Sequence, residues 1–208
     1  MKKSRTYITA SILVVAVTLS GCNLFKNEFG KMKSALKGRE AIIQTYDESS
    51  NIIDRVKGKS IDLSADSAFS IIAGDGSTVE KSSVINITVG GKPMMHVGSS
   101  LILYEDGILN VFEEYAKTVD ITNNDRSTPF VNKMVNGIKN LTAGHDMLIL
   151  IRSQTGKPLA AFSGNSVSYF STSIDKSTGF IIDGKYLLIY RCDYTVYSKG
   201  LLQNMETD

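Results

Sequence analysis

Apolar and polar positions follow a different rhythm in each part of the chain. Lys2, Lys3 and Arg5 precede an apolar stretch from Ile8 to Leu19, densest over Ile12-Leu13-Val14-Val15-Ala16-Val17. That stretch is roughly a dozen residues, short of the ~20 that a spanning helix needs. Phe25, Phe29, Met32 and Leu36 then recur at helical spacing, with Lys26, Lys31, Lys33 and Lys37 on other faces. Two readings of this short helix are open: a basic amphipathic turn lying on lipid, or a connector docked on the domain. Its shortness and Gly30 favour docking.

After Arg39 the period becomes two. Ala41-Ile42-Ile43-Gln44-Thr45-Tyr46 and Ile52-Ile53-Asp54-Arg55-Val56 read as strands joined by the turn-rich Asp47-Glu48-Ser49-Ser50-Asn51. Ser60 to Leu63, Phe69 to Ile72 and Ser83 to Val89 continue as short strands. Gly74-Asp75-Gly76-Ser77 and Gly90-Gly91-Lys92-Pro93 punctuate them. Met94 to Val97 is a weaker strand and Leu101-Ile102-Leu103-Tyr104 a stronger one. Between Glu105 and Val119, Ile108, Val111, Phe112 and Tyr115 suit a short helix, while Asp106-Gly107 also suits a hairpin.

The spacing predicts the clearest helix over 128–141. Thr128 is a natural N-cap and Pro129 occupies the first helical position, where its missing N–H costs nothing. Phe130, Met134, Ile138 and Leu141 form its apolar stripe, and Gly144 can end it. Met147-Leu148-Ile149-Leu150-Ile151 is a continuous apolar run of strand length, as in a central strand buried on both faces. Further strands follow at Leu159 to Phe162, Val167 to Phe170 and Gly179 to Ile182. Asp183-Gly184 is a two-residue hairpin signal. The last strand, Lys185 to Tyr197, reads as one alternating element. Tyr186, Leu188, Tyr190, Cys192, Tyr194 and Val196 point to a core, and the remainder form a half-covered face.

Strands dominate without regular βαβ alternation. The expected class is α+β, with a predominantly antiparallel, curved sheet and one clear helix, 128–141, packed on it. No repeat or low-complexity segment interrupts it.

The N-terminal segment carries chemistry of its own. A positive n-region, an apolar h-region, then small Ser20 and Gly21 ahead of Cys22, have the layout of a lipoprotein signal. Leu19-Ser20-Gly21-Cys22 resembles the lipobox, which implies cleavage between Gly21 and Cys22 and acylation of Cys22. An ordinary secreted protein with a chance cysteine, or an uncleaved anchor, is the competing reading. The organisation expected is a removed signal at 1–21, a lipidated tether and short helix at 22–38, one β-rich extracytoplasmic domain at 39–200, and a tail at 201–208. Two or more acyl chains anchor a protein stably where one does not.

Removing residues 1–21 changes the charge. Lys2, Lys3 and Arg5 leave with them, so 20 basic side chains face 21 acidic ones and the formal charge becomes −1. No basic excess points to nucleic acid. With Cys22 acylated, Cys192 stands alone and no intramolecular disulfide can form.

No catalytic motif stands out. His96, His145 and Cys192 lack metal-ligand spacing, and no G-x-S-x-G elbow occurs. Gln154-Thr155-Gly156-Lys157-Pro158 contains a G-K step without the P-loop spacing. Asp120, Asn123, Asn124 and Asp125 lack the calcium-loop pattern. Glu113 and Glu114, like Asp47 and Glu48, read as adjacent solvated carboxylates, and Cys192 as a small core residue. No metal or cofactor is expected. One set is less bland: Arg126, Arg152, Arg191, Asp193 and Tyr197 could line a polar groove, since Arg and Tyr suit protein or glycan recognition.

The stretches Arg152-Ser153-Gln154-Thr155-Gly156-Lys157-Pro158-Leu159-Ala160 and Asp183-Gly184-Lys185-Tyr186-Leu187-Leu188-Ile189-Tyr190-Arg191-Cys192-Asp193-Tyr194-Thr195 resemble motifs of uncharacterised lipoproteins of Gram-positive bacteria. The resemblance runs over most of the chain after the signal and implies a single exported domain without an assigned activity. The expectation is a non-enzymatic module on the extracytoplasmic face of the cell membrane. It would be held in the bilayer through acylated Cys22 and bind an envelope protein or polysaccharide. An enzyme acting on envelope material, or an assembly factor using an exposed strand edge, are the alternatives.

Overall fold

Three runs that are apolar at most positions lie side by side and antiparallel: β1 (Glu40–Tyr46), β8 (Ser100–Glu105) and β13 (Lys185–Tyr190). A computed structural model of the chain describes residues 28–118, 144–198 and 200–201. In it β2 (Ile52–Lys59) borders β1. On the other side β12 (Ser177–Ile182) and β11 (Val167–Ser171) extend the sheet past β13, in the order β11-β12-β13-β8-β1-β2. Successive strand residues point to opposite faces, so a strand apolar at consecutive positions must be covered on both. Ala41, Ile43, Leu101, Leu103, Leu188 and Tyr190 enter one core. Ile42, Tyr46, Ile102, Tyr104, Leu187 and Ile189 enter a second on the opposite face.

Each face has its own cover. Over the first lie helix α1 (28–36) and a sheet of β3 (Ile61–Ala65), β6 (Ile85–Val89) and β7 (Lys92–His96), ordered β3-β6-β7. Over the second lies a sheet ordered β10-β9-β14, built from β9 (Met147–Arg152), β10 (Pro158–Gly164) and β14 (Asp193–Ser198). Helix α2 (Val111–Thr118) lies against β10. Its N-cap is Asn110, whose Oδ1 accepts from the N–H groups of Phe112 at 3.2 Å and Glu113 at 3.4 Å. A separate hairpin of β4 (Ile71–Ile72) and β5 (Thr78–Glu80) completes the described strands. The protein is thus predominantly antiparallel β with helical cover, as its pattern predicts, but in three stacked layers rather than one curved sheet.

Helix α1 resolves the first open reading. Phe29, Met32 and Leu36 are buried in the first core, where each contributes about 1.5–3 kcal/mol of apolar burial. Lys33 pairs with Asp62 of β3 at 3.2 Å. The described apolar stripe is spent on the domain, so docking replaces the lipid-lying turn; Phe25 lies outside the described residues. After Glu105 the chain takes both predicted options in turn. Ile108 N–H closes a tight turn to the Glu105 carbonyl at 3.3 Å, and α2 follows. The helix expected at 128–141 lies outside the described residues.

The largest correction concerns the last strand. Lys185 to Tyr197 is two strands in two sheets, broken at Arg191 and Cys192. Arg191 takes a left-handed φ of 50° and turns the chain. Its N–H donates to the Lys176 carbonyl at 2.9 Å, and Ser100 Oγ donates to its carbonyl at 2.7 Å. Alternation therefore restarts at the break. Leu187 and Ile189, expected on a half-covered face, are fully buried in the second core. Val196 packs on that core, and Tyr194 meets Phe180 edge-on at 5.0 Å while 39% exposed. The Asp183-Gly184 hairpin forms as its sequence predicts, with φ of 49° and 79°.

Candidate functional site

The corner between β13 and β14 opens a cleft of about 450 Å³. Four segments distant in sequence build it: the β11–β12 turn, the corner itself, Lys81 just after β5, and Gln154 in the β9–β10 turn. The β11–β12 turn is held by its own side chains. Thr172 Oγ1 accepts from the Ile174 N–H at 3.0 Å and is hydrogen-bonded to Ser177 Oγ. Ser177 Oγ lies 2.9 Å from the Ile174 carbonyl. Lys176 in this turn is left-handed, with φ of 52°. The Lys176–Arg191 backbone bond then ties the turn to the corner.

Five charged side chains line the cleft: Lys81, Asp175, Lys176, Arg191 and Asp193. Among the described residues none of the five makes a side-chain hydrogen bond or ion pair. Elsewhere charges do pair. Arg39 meets Glu105 at 2.9 Å, Arg55 meets Glu113 at 3.3 Å and Lys57 meets Asp106 at 2.9 Å. Arg191 is half-buried, and its Nε is buried without an acceptor. Such a donor is left with its desolvation uncompensated. The arrangement offers guanidinium and ammonium donors to an anion, and carboxylates and hydroxyls to a ligand's own hydroxyls. It also places two carboxylates, Asp175 and Asp193, in one cleft.

Of the groove residues named from sequence, Arg191 and Asp193 line this cleft. Asp193 stands opposite Arg152 in the β14–β9 register. Arg152 turns along the neighbouring strand instead of into the cleft. Its Nη1 donates to Thr195 Oγ1 at 3.0 Å and its Nη2 to Tyr197 Oη at 3.3 Å. Arg152 and Tyr197 thus satisfy each other on the outer face of this sheet, beside the cleft. Arg126, Gly21 and Cys22 lie outside the described residues. Lys81, Asp175 and Lys176 were not singled out by sequence. Ser171 to Ser177 has turn composition, which marks the loop without showing what it faces, and nothing local marks Lys81.

Other chemistry-bearing residues resolve into structural roles. His96 is buried, with Nε2 2.8 Å from the Ser99 carbonyl and its ring edge-on to Tyr190 at 5.7 Å. Among the described residues no three His, Cys, Asp or Glu side chains are grouped to hold a metal ion. Cys192 keeps some exposed surface, but burial of its sulfur pushes the thiol up to about 12. It is protonated at neutral pH and unsuited to nucleophilic attack. Glu113 is not simply a solvated carboxylate. It accepts from Gln44 Nε2 at 2.8 Å, and Gln44 Oε1 accepts from the buried Tyr46 hydroxyl at 2.8 Å. Burial holds the Tyr46 phenol well above its ordinary value. This chain of bonds joins α2 to the central sheet.

Apolar side chains also stand out in the solvent. Phe69, Ile71, Ile72 and Val79, on and beside the β4–β5 hairpin, are each more than half exposed. Lys81 connects this hairpin to the cleft.

Neither the curated proteins nor the solved structures contain a match to this chain. Comparison with protein families matches residues 4–202, nearly the whole chain, to a family described as Domain of unknown function (DUF5052). The chain belongs to that family.

Proposed function

We propose that this chain is a lipid-anchored extracytoplasmic binding module, acylated at Cys22, whose cleft takes a hydroxyl-rich component of the cell envelope. The Lys2-Lys3 and Arg5 n-region, the apolar run ending at Leu19, and Ser20-Gly21-Cys22 support the anchoring. No described helix is long and apolar enough to cross a membrane. The lone Cys192 and the resemblance to Gram-positive lipoproteins favour a Gram-positive envelope. The observation that carries the binding role is the group of five charged side chains, unpaired among the described residues, around one open cleft.

The anchor and the cleft would work at opposite ends of the central strands. Five residues separate Cys22 from α1, a reach of about 20 Å at most. Glu28 and Lys31 of α1 act electrostatically on Tyr186, near the start of β13. Arg191 follows the end of that strand, about 17 Å further along at 3.3 Å per residue.

Two measurements test this reading. Intact-mass analysis of the membrane fraction should show a chain beginning at Cys22 with added acyl mass, and Cys22→Ala should leave the membrane; an unlipidated membrane-bound chain defeats the anchoring. Immobilised protein should retain a saccharide fraction of envelope extract and lose it with Asp193→Asn; failure to retain any saccharide defeats the binding role. Two further readings have an observation each. Asp175 and Asp193 in one cleft suit glycoside hydrolysis, which time-resolved product analysis would reveal. The exposed Phe69, Ile71, Ile72 and Val79 suit a protein partner and the assembly role.

A further inference from the structure

We propose that the cleft is an oxyanion site, in which Arg191, assisted by Lys81 and Lys176, holds a phosphoryl group carried on a saccharide. This deepens the binding reading above by naming the chemistry of the ligand.

The backbone supplies the first argument. Arg191 and Lys176 are both left-handed, at φ of 50° and 52°, and are joined by a 2.9 Å hydrogen bond. Glycine serves such positions without steric cost, whereas a side chain at Cβ is disfavoured there. The fold alone would therefore favour glycine at both. Instead each carries a long cation, and both cations line the same cleft. Strained residues of this kind gather at sites where the conformation serves a ligand.

The side chains supply the second. Arg191 Nε is shut off from water with no acceptor. Its backbone is pinned on both sides, by the Lys176 carbonyl and by Ser100 Oγ at 2.7 Å, so the guanidinium starts from a fixed root. A guanidinium offers two parallel N–H donors to a phosphoryl or carboxylate group. Asp193 and Asp175 do not neutralise it: neither is bonded to a cation among the described residues. A phosphoryl group would accept from the terminal guanidinium nitrogens, in a cleft whose three cations and two carboxylates leave a formal charge of +1. The two carboxylates would then accept hydrogen bonds from hydroxyls on the same ligand. An anion without hydroxyls would leave them facing it unpaired.

Calorimetric titration of the full chain in detergent tests this, with glucose 1-phosphate, inorganic phosphate and micellar short-chain phosphatidylglycerol as probes. Glucose 1-phosphate should bind with one-to-one stoichiometry and at least tenfold more tightly than inorganic phosphate. Arg191→Gly should weaken it at least tenfold while the melting temperature holds or rises, because glycine fits the left-handed corner. Lys81→Gln should weaken it several-fold, with Lys176→Gly as a second test if Arg191→Gly melts early. Glucose 1-phosphate binding within twofold of the parent in the glycine variants overturns the proposal, as does its absence in the parent. Phosphatidylglycerol binding that equals it and is lost with Arg191→Gly assigns the phosphoryl group to a lipid headgroup and overturns the saccharide assignment. Saccharide retained from envelope extract without competition by glucose 1-phosphate leaves the binding module standing and removes the oxyanion site.

Discussion

Replacing Gly179 by alanine should strain the sheet beside the cleft, and the strain should vanish when one aromatic ring is removed. Gly179 of β12 stands directly opposite Phe170 of β11. The Phe170 ring lies over it and meets Tyr186 edge-on at 6.2 Å. A methyl group at position 179 would come within 2.8 Å of the ring's Cε1 and closer still to Cζ and Cε2. Ordinary carbon contacts are about 3.5–4.0 Å, so the ring must shift by roughly 1 Å or more. Phe170 is only 2% exposed and has little room to do so. Overpacking of this kind costs about 1–3 kcal/mol. For a chain of this size that is a fall of roughly 4–8 °C in melting temperature at 2 kcal/mol.

Phe170→Ala alone should cost about 3–5 kcal/mol by opening a cavity. Adding Gly179→Ala to it should cost nothing, or stabilise by about 0.5–1 kcal/mol, since alanine loses less backbone freedom than glycine. Urea unfolding of the parent, both single variants and the double variant measures the coupling. An effect of Gly179→Ala that is equal in both backgrounds to within about 0.3–0.5 kcal/mol would refute the steric argument.

Three further outcomes follow from the electrostatics and burial. Arg39→Ala should destabilise by about 1–3 kcal/mol, read by denaturant unfolding. Glu105, whose side chain is 4% exposed, would keep only the Tyr186 N–H at 3.1 Å after losing Arg39 Nη1 at 3.0 and 2.9 Å; half-exposure of Arg39 keeps the loss below that of a fully buried pair. Cys192 should resist iodoacetamide at pH 8 in the folded protein and react quickly in urea, because burial raises its thiol to about 12; equal rates would refute the burial. The hydrogen bond from Lys57 lowers the Asp106 carboxyl below its ordinary value and raises the Lys57 ammonium above its own. A lowered carboxyl stabilises above its unfolded pKa and loses that contribution as pH falls through the folded value. Lys57→Met should therefore move the Asp106 titration upward by NMR and flatten the acid limb of the stability profile, and an unmoved titration would contradict it.

Local elements were legible because their causes are local. The period-two runs at Ala41 to Tyr46 and Leu101 to Tyr104, the helical spacing of Phe29, Met32 and Leu36, and the Asp183-Gly184 turn each lie within a few residues. Cover on both faces of β1, β8 and β13 was not read from these runs; it follows from the two cores that the central sheet separates. The break at Arg191 was hidden because the alternation of Lys185 to Tyr197 reads through it. An arginine carries no signal for a left-handed corner, and only its bonds to Lys176 and Ser100, 15 and 91 residues away in sequence, hold that conformation.

By itself, then, the sequence determined an N-terminal segment with the lipoprotein layout around Cys22, a mostly antiparallel β domain, an amphipathic entry helix, and the absence of familiar catalytic motifs. The tertiary structure alone decided which strands share a sheet, where the last strand changes layer, and which charges meet. Side-chain alternation and turn chemistry are properties of neighbouring residues. The cleft is made by Lys81, Gln154, the 171–178 segment and the 191–193 corner, which only long-range strand pairing brings together. Five charges that look like ordinary solvated residues along the chain become one group, unpaired among the described residues, once β13 leaves one sheet and β14 joins another.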